Sequence, residues 1–257
     1  MYVYGHGSTY AMLCVYVDDC TLAGKTPSVV QDLKEQLSRK FRMTDGGPAT
    51  LLLGMEISQT DGEIPVSQHN YVLNLLDKFN MKDCTTVATP GTGAEIEREP
   101  DNAIYLNDMD TKFYQGIVGS LLFLTNTTRW EIGYSVMILC RGMNKPTNQH
   151  LAGAKRVLRY LRGKPDMPIK FRRGQWKLHG YCDANFAGAS EALQKRSSSG
   201  YIFILTGVIS ASSTLQKVTA QSTVHAELIA MATAAREALC SCRANCYGNG
   251  SGGGTLP

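Results

Sequence analysis

The segment "CVYVDDCTL" places two adjacent carboxylates, Asp18 and Asp19, inside a run of residues otherwise typical of a buried strand. Burying an ionised carboxylate without a partner is costly, and two neighbouring carboxylates repel each other. One interpretation is a solvated turn, because aspartate favours turns. The other keeps the turn and adds a cation. Strands ending at Asp18 and returning from Asp19 would place hard oxygen ligands, which suit Mg²⁺, at the tip of a hairpin.

A second pair of carboxylates occurs in the C-terminal half of the chain. Asp183 interrupts an alternating strand, and Glu227 lies in the first turns of a helix that follows three predicted strands. Each has an ordinary structural explanation, since Asp183 could end a strand and an acidic residue early in a helix interacts favourably with the helix dipole. A strand aspartate and a helix glutamate separated by a β meander can also bind a divalent metal for phosphodiester hydrolysis.

Basic residues are concentrated in residues 151–180, which contain nine lysines and arginines and a single acidic residue, Asp166. Within the predicted helix "TNQHLAGAKRVLRYLRG", Lys155, Arg159 and Arg162 recur on one face, next to Arg156. Such a patch attracts phosphate backbones, although a solvated helix face has the same pattern. The formal net charge of the whole chain, +4, says little about partners.

Composition limits the class of protein. A chain of 257 residues that is 43% hydrophobic can form one large domain or two ordinary ones. Its eight cysteines lack C-x-x-C spacing, and "CSCRANC" matches no zinc motif, which favours reduced thiols in an intracellular protein. We expect no membrane span, because no window reaches about 18 apolar residues, and no signal peptide, because the N-terminus lacks a basic region.

Periodicity predicts mixed helices and strands. Thr26 as N-cap and Pro27 at the first helical position begin an amphipathic helix up to Phe41. Two strands flank a turn at Asp61–Gly62, where both central residues favour positive φ. The helix "HNYVLNLLDKFN" follows, and then an exposed acidic linker over residues 81–110.

The remaining chain is predicted to contain helices first and then strands. "KFYQGIVGSLLFLT" and "WEIGYSVMILCRGM" predict two apolar helices that precede the basic helix. Residues 168–219 alternate as strands, with Gly207 at a turn. A final helix is capped by Ser222 or Thr223, and its periodicity stops at Cys240.

Seven motifs, in order over residues 13 to about 238, resemble the copia-type retrotransposon Pol polyprotein. "YVDDCTLAGK" is similar to the polymerase palm motif, and "LLLGMEISQTDGEIPVSQHNYVLNLLDKFNMKDC" to the primer-grip hairpin with its following helix. "YQGIVGSLLFLTNTTRWEI" and "AKRVLRYLRG" resemble the connection, while "GYCDANFAG", "KRSSSGYIFIL" and "AQSTVHAELIAM" resemble ribonuclease H.

The resemblance implies roles for individual residues. Asp18 and Asp19 would bind Mg²⁺ or Mn²⁺ at a polymerase site, with Asp18 the more direct ligand, and Asp183 and Glu227 would bind the metal of ribonuclease H. Gly54, Met55 and Glu56 would lie at the hairpin that positions the primer end. The basic helix, through Lys155, Arg156, Arg159 and Arg162, would follow the backbone of a template-primer or RNA–DNA hybrid.

The resemblance also implies an α+β fold in four segments. The first two are a partial reverse-transcriptase palm and thumb over residues 1–90, and a linker with a helical connection over 91–167. The last two are a truncated ribonuclease H-like α/β domain over 168–240 and a disordered tail over 241–257. The family's third palm carboxylate, its fingers and the last ribonuclease H acids are not matched. Asn185, Phe186, His225 and "TRWEI" depart from the family pattern.

We therefore expect a Pol fragment that is inactive as a single chain. Two alternatives stay open: a non-catalytic nucleic-acid-binding protein that uses the basic helix 155–162, and a fragment that completes its sites with a fuller Pol chain. Salt-dependent binding of hybrid without turnover would favour the first alternative. Family analogy implies a cytoplasmic or nuclear location, and no targeting signal specifies either.

Overall fold

The computed structural model describes residues 1–91, 103–174, 177–188 and 195–248, with side chains up to residue 240. In these residues every strand pairing is antiparallel and helices accompany the sheets, which is consistent with the α+β class. The chain divides into two compact units, residues 1–50 with 237–257 and residues 51–236. The four segments expected from the sequence stay a prediction. No helix in the described ranges is long and apolar enough to cross a membrane.

Residues 1–50 of the first unit form a three-stranded sheet and one α-helix. Strands β1 (Tyr2–Tyr4), β2 (Ala11–Tyr16) and β3 (Asp19–Gly24) pair in that order, and α1 spans Pro27–Lys40. Thr26 is the N-cap, as predicted, because its side chain accepts a hydrogen bond from the Val29 amide. The apolar face of α1 is only half-buried in this unit.

The second unit begins with a four-stranded sheet of order β4-β5-β6-β7. Its strands are β4 (Leu51–Leu52), β5 (Met55–Ile57), β6 (Glu63–Ser67) and β7 (Ile169–Arg172). The turn predicted at Asp61–Gly62 is present between β5 and β6. Of its two residues only Gly62 has a positive φ, of +85°, so the expectation of two positive values was wrong. The strand predicted before this turn is divided into β4 and β5.

Strand β7, which the sequence assigns to the ribonuclease H-like segment, pairs with β6 and not with β8. Ile64 is opposite Phe171, and the carboxylate of Glu63 accepts hydrogen bonds from Lys170 at 3.1 Å and Arg172 at 3.3 Å. These two cations hold the pKa of Glu63 below its ordinary value. Residues about one hundred positions apart in the sequence therefore form one sheet.

Four helices form the hydrophobic core of this unit. They are α2 (His69–Lys78), α3 (Asp108–Thr125), α4 (Gly133–Arg141) and α5 (Asn148–Gly163), with a short 3-10 helix at Trp130–Ile132 before α4. The apolar helices predicted from the sequence are thus confirmed. Helix α3 begins inside the predicted linker, where the Asn107 side chain accepts a hydrogen bond from the Asp110 amide at 2.8 Å. Residues 92–102 of that linker lie outside the described residues.

A charged residue lies within this apolar core. Arg129 is 2% exposed, and its Nε donates to Glu131 Oε1 at 2.6 Å. A second guanidinium nitrogen lies 3.8 Å from the sulfur of Met167, just before β7. Because an unpaired buried charge is costly, the carboxylate of Glu131 is required for Arg129 to be accommodated there.

The last elements are a second sheet and a long helix. Strands β8 (His179–Asn185), β9 (Ser198–Ile204) and β10 (Val208–Leu215) pair in the order β10-β9-β8. Helix α6 spans Thr223–Gly248 and is capped by Ser222, whose hydroxyl accepts a hydrogen bond from the His225 amide at 3.1 Å. The helix continues eight residues into the segment 241–257 that we expected to be disordered. Residues 249–257 lie outside the described residues.

Replacing Glu131 by alanine should reveal the cost of the buried charge. We expect Glu131→Ala to lower the free energy of unfolding by about 3 kcal/mol, the lower end of the range for breaking a buried pair, because Glu131 is 30% exposed. Asp77→Ala, which breaks the exposed Asp77–Lys82 pair, should cost under about 0.5 kcal/mol. Urea unfolding followed by tryptophan fluorescence measures both, and equal losses would contradict the interpretation.

Candidate functional site

Asp18 and Asp19 lie at the tip of the β2–β3 hairpin. Tyr16 pairs with Asp19 across a turn whose central residues are Val17 and Asp18. Val17 has φ +52°, which is a strained conformation for a β-branched residue. A positive φ at the first central position alone is the feature of type II′ turns. Strained backbone of this kind is concentrated at functional sites.

The hairpin is not buried in the way its apolar sequence indicates. Val15, Tyr16 and Val17 are 48%, 59% and 80% exposed, and both aspartates are exposed. The solvated turn expected from the aspartates is therefore confirmed for this unit, whereas a buried strand is not.

The four predicted ligands are free to bind. Within the described residues, Asp18, Asp19, Asp183 and Glu227 make no side-chain hydrogen bond or salt bridge to another residue. Carboxylate oxygens are the ligands that Mg²⁺ and Mn²⁺ prefer, so the donor chemistry fits these ions. In the same part of the chain, no group of three or more His, Cys, Asp or Glu side chains is placed to hold a metal.

Gly54 lies in a tight turn between β4 and β5. Leu53 and Gly54 have φ of +51° and +77°, and Leu52 pairs with Met55 across them. Two positive φ values at the centre of a two-residue hairpin are the feature of type I′ turns. A Cβ atom at Gly54 would lie 3.6 Å from the ring of Phe123 on α3, so steric space there is ordinary and the backbone angle alone favours glycine.

Glu56 has a structural role that the sequence analysis missed. Its carboxylate accepts hydrogen bonds from the Asn70 amide at 2.8 Å and from the Ser67 hydroxyl at 3.4 Å. Asn70 is in the first turn of α2, where backbone amides lack partners within the helix. Glu56 therefore joins the β5 strand to the start of α2, and Met55 beside it is half-buried.

Asp183 faces a groove between the second sheet and the helices. It is exposed, and it pairs with Gly200, which in turn pairs with Ser213. Ser213 contacts the sulfur of Met137 on α4 at 3.8 Å. The groove has a volume of about 1110 Å³, and among its lining residues are Trp130, Tyr134, Met137, Lys170, Asp183 and Tyr201.

Glu227 is half-buried in the first turns of α6 and does not line this groove. Its helix is joined to the second sheet by Gln216, which is 3% exposed. The amide nitrogen of Gln216 donates to Ser199 Oγ and to the carbonyl of Ala226, both at 2.9 Å. Ser199 pairs with Ala184, and because successive side chains of a strand point to opposite faces, this pair lies on the face of the sheet opposite to Asp183.

The basic face of α5 contacts the preceding chain. Its arginines donate to residues 82–89: Arg156 to Thr89 Oγ1 at 3.1 Å, Arg159 to Thr85 O at 2.6 Å and Arg162 to Lys82 O at 2.7 Å. Lys155 is exposed and makes no such contact within the described residues. The face predicted to follow a nucleic-acid backbone thus has a structural role in three of its four residues.

Comparison of the sequence with known proteins finds one family model and several relatives. The model for reverse transcriptase (RNA-dependent DNA polymerase) matches residues 1–93, which include the Asp18–Asp19 hairpin. A Retrovirus-related Pol polyprotein from transposon TNT 1-94 of Nicotiana tabacum is 35% identical over 90% of the chain and 18% of that polyprotein. The corresponding protein from transposon RE1 of Arabidopsis thaliana is 34% identical over 92% of the chain and 16% of its own length.

The chain is therefore similar to Retrovirus-related Pol polyproteins over most of its own length, and its first 93 residues match the reverse transcriptase family. This confirms the resemblance drawn from the motifs. The chain spans less than one fifth of the length of these two polyproteins. It is also 32% identical to the uncharacterized mitochondrial protein AtMg00810 of Arabidopsis thaliana, over 88% of this chain and 92% of that protein. No solved structure matches it.

The turn at Gly54 gives a prediction for this chain. Gly54→Ala should lower the free energy of unfolding by about 1–2 kcal/mol, because an L-residue pays that cost in the left-handed conformation. Gly119→Ala is the matched control, since Gly119 is exposed within α3 and has open space around it. Alanine at this helical position should raise the free energy of unfolding by up to about 1 kcal/mol. Urea unfolding midpoints should therefore move in opposite directions. A shift in the same direction would show that the backbone angle at Gly54 is not the determining factor.

Proposed function

We propose that this chain is a fragment of a retrotransposon reverse transcriptase and ribonuclease H, which together perform RNA-directed DNA synthesis and cleavage of the RNA in a hybrid. The observation that carries the proposal is the hairpin of residues 11–24. It has a strained turn at Val17 and two exposed, unpaired carboxylates at its tip, within the segment that matches the reverse-transcriptase family.

In this proposal Asp18 and Asp19 bind Mg²⁺ or Mn²⁺ beside the primer terminus, with Asp18 the more direct ligand. Bound metal supplies activation of the primer 3′-hydroxyl and charge neutralisation on the leaving pyrophosphate. The two-residue turn fixes the carboxylates at adjacent positions before substrate arrives. The turn at Gly54 and Met55 positions the primer end, and Glu56 supports it through the start of α2.

We assign the second pair of carboxylates to the ribonuclease H part. Asp183 on β8 and Glu227 on α6 would bind the metal that acts on the RNA strand of an RNA–DNA hybrid. Their support is the order of the elements, in which the strand β8 with its aspartate is followed by two further strands of one sheet and then by the helix α6 with its glutamate. The palm, thumb and ribonuclease H-like assignments of the segments belong to the same proposal.

We further propose that the chain is inactive by itself. Each predicted site contributes two carboxylates, whereas a two-metal reaction in this family uses three or four. The missing ligands would come from other parts of a Pol chain, which is therefore a proposed partner alongside template-primer and hybrid. The described cysteines are all free, which supports a reducing, cytoplasmic or nuclear compartment.

Primer extension on an RNA template tests the polymerase proposal. The chain alone should extend no primer, and extension should appear when it is mixed with a polypeptide that carries the upstream polymerase segments of a related Pol polyprotein. Asp18→Asn should abolish that extension, because it removes the proposed metal ligand. Asp45→Asn, which changes an exposed aspartate of the same unit paired with Lys34, should leave it intact. Extension that survives Asp18→Asn would contradict the assignment.

Hybrid cleavage tests the second assignment in the same preparation. The chain alone should not cleave a labelled RNA–DNA hybrid in Mg²⁺. Cleavage that is lost in both Asp183→Asn and Glu227→Gln would overturn the proposed inactivity and show that the two carboxylates suffice.

A non-catalytic nucleic-acid-binding protein remains the alternative function. The contacts of Arg156, Arg159 and Arg162 with residues 82–89 weigh against a basic face that is wholly available to phosphates. Arg159→Ala should lower stability by about 1 kcal/mol through loss of its hydrogen bond to Thr85 O, and it should change hybrid affinity little. Lys155→Ala should leave stability unchanged. Urea unfolding and hybrid binding at two salt concentrations measure these effects, and a large, salt-dependent loss of affinity in Arg159→Ala would favour the alternative.

A further inference from the structure

Strand β8 is an exposed edge of the second sheet. Among the described residues, the order β10-β9-β8 gives it a neighbouring strand on one side only. Its seven residues include no proline or lysine, which commonly protect such edges. Tyr181, Asp183 and Asn185 are exposed, whereas Cys182 and Ala184 between them are half-buried. An unprotected edge strand of this length is a template on which another strand can pair.

The register of the sheet shows which backbone groups of β8 point outward. The amide of Gln216 donates to Ser197 O, so these two residues form a hydrogen-bonded pair, and such pairs alternate along β9 and β10. Gly200 therefore directs its N–H and C=O groups to β8, where it pairs with Asp183. The residues of β8 whose N–H and C=O groups point away from the sheet are consequently Gly180, Cys182 and Ala184. In the described part of the chain, these groups have no backbone partner outside their own sheet.

Two copies of β8 pair antiparallel in one register better than in the others. With Cys182 opposite Cys182 of a second copy, Gly180 lies opposite Ala184, and all the outward groups exchange hydrogen bonds. Tyr181 then lies opposite Asp183 of the other copy, on one face of the joined sheet, where the phenol can donate to the carboxylate. A shift by two residues would place Asp183 opposite Asp183, and like charges directly opposite are destabilising. Hydrogen bonds and side-chain chemistry therefore favour the same register.

We propose that β8 is a self-association surface, through which two copies of this chain form a symmetric dimer with a continuous sheet. The two-fold axis passes beside Cys182, and each copy contributes Tyr181 to Asp183 of the other. The contact is a single strand pair, so its area is below that of a standard interface and the dimer forms at high protein concentration. This inference goes beyond the proposed function and does not rest on it, because neither metal nor nucleic acid takes part in the pairing.

Sedimentation equilibrium of the intact 257-residue chain, in a reducing buffer without metal or nucleic acid, tests the proposal. The reductant excludes dimers linked through the exposed cysteines. The weight-average mass should rise from that of one chain towards that of two as the concentration increases through the micromolar range.

Two variants of Tyr181 test the register, and both should fold because its side chain is 66% exposed. Tyr181→Asp should weaken dimerisation by at least about tenfold, since the symmetric dimer would then contain two pairs of opposed carboxylates. Tyr181→Lys should retain the dimer, because an ammonium group opposite Asp183 is a favourable cross-strand pair. Tyr2→Asp is the matched control, since Tyr2 is 67% exposed on the edge strand β1 of the first unit, and it should leave dimerisation unchanged.

Each of four results would overturn the proposal. The first is a mass that stays at that of one chain at every concentration. The second is a dimer that Tyr181→Asp does not weaken, because β8 would then not be the contact. The third is equal weakening by Tyr2→Asp, which would indicate general association of exposed tyrosines. The fourth is a loss in Tyr181→Lys as large as in Tyr181→Asp, which would show that Asp183 does not lie opposite this position.

Discussion

The buried guanidinium of Arg129 is the constraint on which the larger unit depends. A charge at 2% exposure must have a partner, and Glu131, two residues later, supplies it. The intervening Trp130 belongs to the 3-10 helix that connects α3 to α4. Because the guanidinium also reaches Met167 just before β7, one ion pair relates the helical core to the sheet that carries the Gly54 turn.

Polar side chains also specify the arrangement around this core. The half-buried Glu56 joins β5 to the start of α2, whereas the buried Gln68 joins the start of α2 to the end of α3 and the buried Gln216 joins β9 to α6. Each bond connects two different elements, and a buried polar group has few alternative partners. Such bonds favour one register over others.

Basic residues in this protein show how one side-chain type can serve two purposes. The charge of α5 suggested contact with phosphates, yet three of its arginines donate to the chain at residues 82–89. A guanidinium has five N–H donors, so such contacts occupy part of its capacity and fix its position. The charge count of a segment therefore does not reveal whether its cations face a ligand or the protein itself.

The sequence by itself determined the features that depend on neighbouring residues. The caps at Thr26 and Ser222, the apolar helices, the hairpin at Asp18 and the turn at Gly62 follow from local periodicity and backbone preference, and the ordered motifs indicated the family. Tertiary structure decided the rest: β7 pairs with β6, Glu56 caps α2, and Gln216 contacts α6. These contacts join residues that no local pattern relates, because hydrogen-bond partners and burial are set only when distant segments pack together.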